Sequence, residues 1–186
     1  MFQIKEVYPG SKYEDVAISE LLLDGVGVHC FAPNTPITLP NGSTTPISQL
    51  SEGDSVLSVD VLTGKTFAAA ITGMATANHH NVVELTFADR TLVLTDDHPL
   101  CDENGHWKAV TPQPYAFQQL THIDQLSVGD RLRISGPLET EVRQLLAIKH
   151  LDVCQPMITI TTLSRGQTFI ANGLVVPVEI LPASQP

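Results

Sequence analysis

The sequence predicts an all-β domain, and three features that lie after residue 29 support this fold class. Runs of β-branched residues show the partial alternation of polar and apolar side chains that is typical of half-buried strands. Three Asn-Gly dipeptides are typical of tight hairpin turns, because both residues tolerate positive φ. An eight-residue segment also occurs twice, each time before a strand-like run.

Length and charge limit what the chain can be. Its 186 residues suffice for one domain with a complete core. The net charge of −10, with only 10 Lys and Arg, lacks the positive potential that attracts phosphate backbones and anionic lipids. We therefore expect no nucleic acid or membrane partner, and a monomer. No apolar run approaches the roughly 20 residues of a membrane span, and the first residues lack a signal-peptide pattern. We expect a soluble chain and leave its compartment open.

Residues 1–29 differ in pattern from the rest and are interpreted as a leader. Ser11 and Glu14 have the spacing of a helix capping box, and a rough helical stripe follows. A short helix near residues 12–23 is predicted, with Gly25 and Gly27 ending it. The glycines would form a flexible approach to Cys30, so that a backbone carbonyl could be presented to a catalytic group.

The remaining chain reads as strands joined by turns. The clearest strand predictions are rich in β-branched residues and cover 82–87, 91–95 and 157–162. Hairpin turns are expected at the three Asn-Gly pairs, residues 41–42, 104–105 and 172–173. The segment 138–148 is compatible with either a helix or a strand, and both alternatives stay open.

The repeated segment predicts internal symmetry. Residues 47–54 and 123–130 agree at six of eight positions, at an offset of 76 residues from Ile47 to Ile123. Two copies are too few for a solenoid, which needs at least three. A two-lobed β domain with pseudo-two-fold symmetry is therefore predicted, and coincidence between two turn-plus-strand pieces is the alternative.

The cysteines point to a thiol nucleophile. Cys30, Cys101 and Cys154 are too few and too odd in number for a disulfide framework, and we expect Cys154 to be a small buried hydrophobe. A thiol is the most nucleophilic side chain at neutral pH, so Cys30 could attack the carbonyl of His29 and form a thioester. The amide nitrogen then needs a proton donor, and His98 is suited to that task.

Thr95, three residues before His98, could hydrogen-bond the scissile peptide or orient the imidazole ring. His98 has a simpler alternative as a surface turn residue before a proline. A zinc site is another alternative, because His98, Cys101 and His106 have ligand-like spacing and Cys30 could be a fourth ligand. We do not include a metal or a cofactor in the predicted site.

These motifs together resemble the Hint (Hedgehog/intein) superfamily, with bacterial intein-like and toxin-associated members nearest. The resemblance covers about residues 30–178 and rests on four groups of residues in the family's order: Cys30-Phe31-Ala32-Pro33 with Thr35-Pro36-Ile37; the Gly53-Asp54 and Gly129-Asp130 turns; Thr95-Asp96-Asp97-His98-Pro99-Leu100 with Gly105-His106-Trp107; and the closing Phe169-Ile170-Ala171-Asn172-Gly173-Leu174-Val175-Val176.

The resemblance implies a horseshoe-like Hint fold and a self-processing reaction. It divides the chain into a leader (1–29), the Hint domain (30–178) and a C-terminal tail (179–186). Cys30, Thr95, His98 and Thr159 would be the catalytic residues, and the cleaved bond would lie between His29 and Cys30. The substrate would be the chain's own N-terminal flank, and water or a small thiol or amine would resolve the thioester. Its enzyme status is left uncertain, since such a reaction is a single turnover.

The sequence also departs from the family pattern. Splicing members release their C-terminal flank through a His-Asn pair, but here Pro177 and Val178 stand at those positions, which predicts N-terminal cleavage without splicing. Thr159 stands where the family often has Asp, so we expect no carboxylate near Cys30, and Gln167 replaces a frequent His. These departures predict a slow or partial reaction. The alternatives are an inert Hint scaffold that acts as a linker or interaction domain and, more remotely, a cysteine hydrolase that cleaves other proteins.

Overall fold

The computed structural model describes residues 28–113, 120, 122–136 and 140–179, and these residues form an almost entirely β structure. The only helical element among them is a 3₁₀ turn at Ile47–Gln49, so nothing in the described part is a helix capable of crossing a membrane. The helix predicted near residues 12–23 lies outside the described residues. The strands are β1 Pro36–Thr38, β2 Thr44–Pro46, β3 Ser55–Val59, β4 Thr66–His79, β5 Val82–Thr86, β6 Thr91–Thr95, β7 Leu100–Cys101, β8 Trp107–Ala109, β9 Ile123–Gln125, β10 Arg131–Ser135, β11 Thr140–Gln144, β12 Ala147–Leu151, β13 Gln155–Leu163, β14 Thr168–Ala171 and β15 Leu174–Pro177.

The strands form four small sheets. One has six strands in the order β11-β10-β15-β14-β1-β2, and the other three are β12-β5-β6, β13-β4-β3 and β7-β8-β9. All pairings between these strands are antiparallel except β8 with β9. The chain order within the largest sheet joins the first strands after Cys30 to the last strands of the domain, which brings the two ends of the described chain together.

The long strand β4 connects two parts of the molecule. Its first half pairs with β3, from Thr66 opposite Val59 to Ala70 opposite Ser55. Its second half pairs with β13, and the register shifts near Gly73. A side chain at Gly73 would come within 2.6 Å of two threonine hydroxyls on β13, so the irregular pairing needs a glycine there.

The predicted strands and hairpins agree closely with the structure. Strands β5, β6 and β13 occupy the three predicted runs to within two residues. Each Asn-Gly pair lies in a hairpin, although φ is positive at both residues only at Asn172 and Gly173. The segment 138–148, for which both alternatives were open, contributes strand β11 and the start of β12.

The repeated segment forms the same turn twice. The amides of Ser51 and Ser127 each donate 2.8 Å hydrogen bonds to the Oδ2 atoms of Asp54 and Asp130, respectively. Gly53 and Gly129 have φ values of 96° and 101°, a region that favours glycine. Each turn is also closed by a pair of backbone hydrogen bonds to a later residue, which is Ile71 of β4 in the first copy and Leu145, directly after β11, in the second. The prediction of two related turns is confirmed.

A single large apolar cluster fills the space between the sheets. Phe31 and Phe169, both fully buried, pack with their rings 5.8 Å apart in this cluster. Cys101 is buried in a separate small cluster with Val59 and Val175. Cys154 is exposed, so the expectation that it is buried was wrong, because its loop between β12 and β13 leaves the side chain outside the core.

Candidate active site

The segment around Cys30 lies between two strands and behaves as a short strand itself. Phe31 forms antiparallel bridges to Leu94 of β6 on one side and to Ile158 of β13 on the other. The amide of Phe31 donates to the Ile158 carbonyl at 2.8 Å, and the Ile158 amide returns a bond at 2.9 Å. The buried Phe31 ring anchors this segment in the core, so the peptide before it is held in a defined position.

Thr95 contacts the peptide bond at which cleavage was predicted. The amide N–H of Cys30 donates to Thr95 Oγ1 at 3.2 Å. The amide of Thr95 in turn donates to the Cys30 carbonyl at 2.9 Å. Thr95 is the last residue of β6 and is fully buried, so both contacts are shielded from water. The structure therefore brings Thr95 together with Cys30, as the sequence predicts.

The ring of His98 is buried near the side chains of the two residues on either side of Cys30. The ring centroid is 4.3 Å from that of Phe31 and 6.3 Å from that of His29. Nδ1 is 3.1 Å from the Pro99 carbonyl, and because a carbonyl oxygen only accepts, this nitrogen carries a hydrogen. His98 is 1% exposed, so the surface-turn alternative is wrong. Burial, reinforced by the nearby charge of His29, lowers the pKa of His98 to about 3, and the ring is therefore neutral at physiological pH.

The sulfur of Cys30 has mainly apolar neighbours. It is fully buried and packs in a cluster with Val82 and Met157. Burial raises the pKa of the Cys30 thiol far above its ordinary value, and the negative charges of Glu179 and Asp97 raise it further. The thiol is therefore protonated at neutral pH and needs a proton acceptor before it can act as a nucleophile.

Thr159 is adjacent to Cys30 in register. The antiparallel bridge between Phe31 and Ile158 places Cys30 opposite Thr159 of β13. Thr159 is fully buried, and its hydroxyl has no hydrogen-bond partner among the described residues. Burying a hydroxyl without a hydrogen-bond partner costs free energy. Thr159 is therefore an unfavourable polar residue in the otherwise apolar surroundings of the nucleophile.

The side chain of His29 is enclosed by two carboxylates, an arrangement that the sequence interpretation missed. Its Nδ1 is 3.1 Å from Glu179 Oε1, and its Nε2 is 3.3 Å from Asp97 Oδ2. Glu179 Oε2 also accepts a 2.6 Å bond from the His29 amide. Burial alone would lower the pKa of His29, but the hydrogen bonds to Asp97 and Glu179 outweigh it and raise the pKa to about 9.

The expectation that Cys30 has no carboxylate nearby is therefore wrong. Thr159 carries no charge, but Asp97 and Glu179 supply negative charge from other elements, and both charges act on the thiol. Burial raises the pKa of Asp97, but the hydrogen bond from His29, the charge of that ring and the hydrogen bond from Thr95 together outweigh it, so the pKa is lowered. Glu179, placed in the tail by sequence reasoning, is 2% exposed. A glutamate directly after the apolar run 174–178 was a signal that could have indicated its burial.

The alternative zinc site has no support in the described part of the chain. No three His, Cys, Asp or Glu side chains in residues 28–113, 120, 122–136 and 140–179 are grouped so that they could hold a metal ion. His106 is 70% exposed at its side chain, whereas His98 is buried and Cys101 is buried in a small cluster with Val59 and Val175. The ligand-like spacing of His98, Cys101 and His106 in the sequence does not correspond to a common metal site in the structure.

Solved structures with the same arrangement of strands are inteins and intein-like domains. A DnaB intein from Synechocystis sp. PCC 6803 has a TM-score of 0.66 and 16% identity over 82% of this chain and 100% of the other. The gp41-1 intein has a TM-score of 0.60 and 19% identity over 81% and 98% of the two chains. A bacterial intein-like domain from Clostridium thermocellum has a TM-score of 0.62 and 15% identity over 80% and 97%. The chain thus has the all-β Hint fold of inteins and intein-like domains.

Sequence comparison adds less. No protein-family model matches the chain. A curated protein, the DNA-directed RNA polymerase III subunit rpc2 of Dictyostelium discoideum, is 31% identical over 87 residues, which are 44% of this chain. The chain spans only 5% of that protein's length, so this match carries no statement about polymerase activity.

Proposed function

We propose that this domain cleaves its own chain between His29 and Cys30 through a thioester and does not splice. The observation that carries the proposal is the hydrogen bond from the Cys30 amide to Thr95 Oγ1, in the Hint fold and directly beside a buried histidine. A threonine hydroxyl that contacts the scissile nitrogen is placed to favour its change from a planar amide to a leaving amine.

The first step is an acyl shift from nitrogen to sulfur. The sulfur of Cys30 forms a bond to the carbonyl carbon of His29, the bond from that carbon to the Cys30 nitrogen breaks, and the thiol proton ends on the released amine. His98 is neutral, and its Nδ1 hydrogen faces Pro99, so the basic nitrogen of the ring is Nε2. In the proposed step His98 takes up the thiol proton as a base and then donates it as a general acid.

The second step releases the N-terminal flank. Water or a small thiol or amine attacks the thioester carbonyl, forms the new acyl bond and frees the Cys30 thiol. The substrate of the domain is therefore its own leader, residues 1–29. Pro177 and Val178 offer no side chain that could cyclise, so the C-terminal flank stays attached. The bridge between Phe31 and Ile158 puts Thr159 opposite Cys30 in register, which supports a role for its hydroxyl in this reaction.

Intact-mass analysis tests this function directly. The purified chain is incubated with dithiothreitol or hydroxylamine, beside untreated chain and the variant Cys30→Ala. We expect loss of a fragment with the mass of residues 1–29, carrying a thioester or hydroxamate end, and no loss from Cys30→Ala. Release that persists in Cys30→Ala would instead indicate a contaminating protease.

A second candidate, an inert Hint scaffold that serves as a linker or interaction domain, is favoured by one observation. The thiol of Cys30 is fully buried, and two nearby carboxylates oppose its ionisation. A protonated and shielded thiol reacts slowly. A wild-type chain that stays intact in hydroxylamine over days, while remaining folded, would favour this candidate.

A further inference from the structure

The side chain of the residue before the nucleophile makes contacts that take no part in the proposed acyl shift. The side chain of His29 is 3% exposed and is contacted on both ring nitrogens by carboxylates. These carboxylates come from two separate parts of the fold, because Asp97 follows β6 and Glu179 follows β15. Neither residue belongs to the set of Cys30, Thr95 and His98 that performs the proposed chemistry.

The backbone fixes Glu179 in this position. The Val178 amide donates to the Gln167 carbonyl at 2.9 Å, and the Glu179 amide points to the Ile160 carbonyl at 3.4 Å. The chain after β15 therefore remains attached to neighbouring strands, and the glutamate is directed inward with 2% exposure. Such burial of a carboxylate is unfavourable unless a positive charge compensates it.

The charge of the two carboxylates determines which kind of side chain fits at residue 29. The buried carboxylate of Glu179 and that of Asp97, which is 17% exposed, leave a net negative site unless the side chain between them is a cation. Each carboxylate also accepts a hydrogen bond, so the cation must present two N–H donors in different directions. An imidazolium ring does both. A glutamine has no charge, and the three N–H donors of a lysine are on a single flexible nitrogen, whereas imidazolium fixes one donor on each of two separate ring nitrogens.

Other titratable groups near the ring do not provide this charge. His98 is neutral because of its burial. His79, at the end of β4, is also buried, and burial lowers its pKa. Within the described part of the chain, His29 is therefore the closest cation to both carboxylates.

We propose that Asp97 and Glu179 form a selectivity pocket for the residue immediately before the nucleophile, and that this pocket takes a compact cationic side chain with two N–H donors. The inference deepens the proposed function, because the residue it selects is the one whose carbonyl Cys30 attacks. Glu179 also accepts a hydrogen bond from the His29 amide at 2.6 Å, so it holds the backbone as well as the side chain. It is thus a positioning residue.

The first arm of the test does not depend on cleavage. In the Cys30→Ala chain, the midpoint of thermal unfolding is measured for His29→Gln, Glu179→Gln and the pair. We expect each single change to lower Tm. We expect the double change to lower Tm by at least about 4 °C less than the sum of the two single effects.

The control is the exposed pair His122 and Asp124, whose Nε2 and Oδ1 atoms are 2.8 Å apart. The changes His122→Gln and Asp124→Asn should have additive effects on Tm. Additive losses at residues 29 and 179 would overturn the proposal. If Glu179→Gln does not fold, the same cycle with Asp97→Asn decides the question.

The second arm measures selectivity in the reaction. With Cys30 present, hydroxylamine release is compared for His29, His29→Gln and His29→Lys, first with both carboxylates and then with Asp97→Asn and Glu179→Gln. We expect His29 to be preferred over the other two by about tenfold or more, and by less than about twofold once the carboxylates are neutral. A preference that survives the removal of both carboxylates contradicts the pocket. If the wild-type chain releases nothing, the proposed cleavage fails, and the first arm alone decides the pocket.

Discussion

Two histidines with ring centroids 6.3 Å apart occupy pockets of opposite character. His29 lies between the carboxylates of Asp97 and Glu179, which raise its pKa to about 9. His98 packs against Phe31, its Nδ1 is 3.1 Å from the Pro99 carbonyl, and burial lowers its pKa to about 3. One ring is therefore charged and the other neutral over the whole neutral pH range.

The comparison shows how one residue type serves two tasks in a small site. A permanently charged ring cannot accept a proton, but it can hold the flank that carries the scissile carbonyl. A neutral ring can take a proton from the thiol and return it to the leaving nitrogen. Because both rings are buried, the difference comes from their neighbours and not from their access to water.

The largest expected effect comes from removing the neutral ring. His98→Ala should slow the release of residues 1–29 by about 10² to 10⁴-fold, the usual contribution of a general acid or base. The rate is measured by intact mass in hydroxylamine, with circular dichroism to establish that the variant is folded. His122→Ala, which removes an exposed histidine, should leave the rate unchanged. An equal rate in His98→Ala would assign proton transfer to another group.

The stability of the folded chain should fall at alkaline pH because of His29 and at acid pH because of His98. The folded pKa of His29 lies above its ordinary 6.5, so its contribution is fully present below pH 6.5 and is lost as the pH rises through about 9. That change corresponds to roughly 3 kcal/mol in the free energy of unfolding. The folded pKa of His98 lies below 6.5, so the unfolded chain binds more protons there and stability falls as the pH falls from 6.5 towards 3.

Urea unfolding of the Cys30→Ala chain between pH 4 and 10 measures this profile. We expect a maximum near pH 6 to 7. Adding His29→Gln should flatten the alkaline side, and adding His98→Gln should reduce the slope on the acid side. A loss on the alkaline side that is unchanged in the His29→Gln chain would mean that another group causes it.

The negative charge of Glu179 should account for part of the difference in pKa between His29 and His98. In the Cys30→Ala chain, Glu179→Gln should lower the pKa of His29 by about one unit or more, which corresponds to about 1.4 kcal/mol. It should change the pKa of His98 far less, because Glu179 contacts only the first ring. An NMR titration of the ring protons follows both residues in one sample. Equal shifts of the two rings would contradict separate pockets.

The smallest effect is expected at the unpartnered hydroxyl. Thr159→Val keeps the shape of the side chain and removes a buried group that has no hydrogen-bond partner among the described residues. We expect the free energy of unfolding to change by less than about 1 kcal/mol. A loss well above that value, measured by urea unfolding, would reveal a contact of this hydroxyl that stabilises the folded chain.

Local patterns were sufficient for the fold class and for most turns. The β-branched runs and the Asn-Gly pairs specify strands and hairpins through their own backbone preferences. The repeated segments form equivalent turns because Ser and Asp bond within the turn and Gly has positive φ. The first three residues of the two copies differ, since Ile47–Gln49 is a 3₁₀ turn and Ile123–Gln125 is strand β9, which pairs with β8. Pairing with a distant strand is not encoded in the local pattern.

The sequence by itself determined the all-β architecture, the related turns and the association of Cys30 with Thr95, because each depends on local preferences or on a motif whose order is visible in the chain. Only the tertiary structure decided the pocket around His29. Asp97 and Glu179 are 82 positions apart in sequence, from 97 to 179. They meet at His29 because Asp97 follows β6, which lies on one side of the residue 29–31 segment, and the Glu179 amide points to Ile160 of β13, which lies on the other side. A buried charge is compensated through space, so its partner cannot be identified from spacing along the chain.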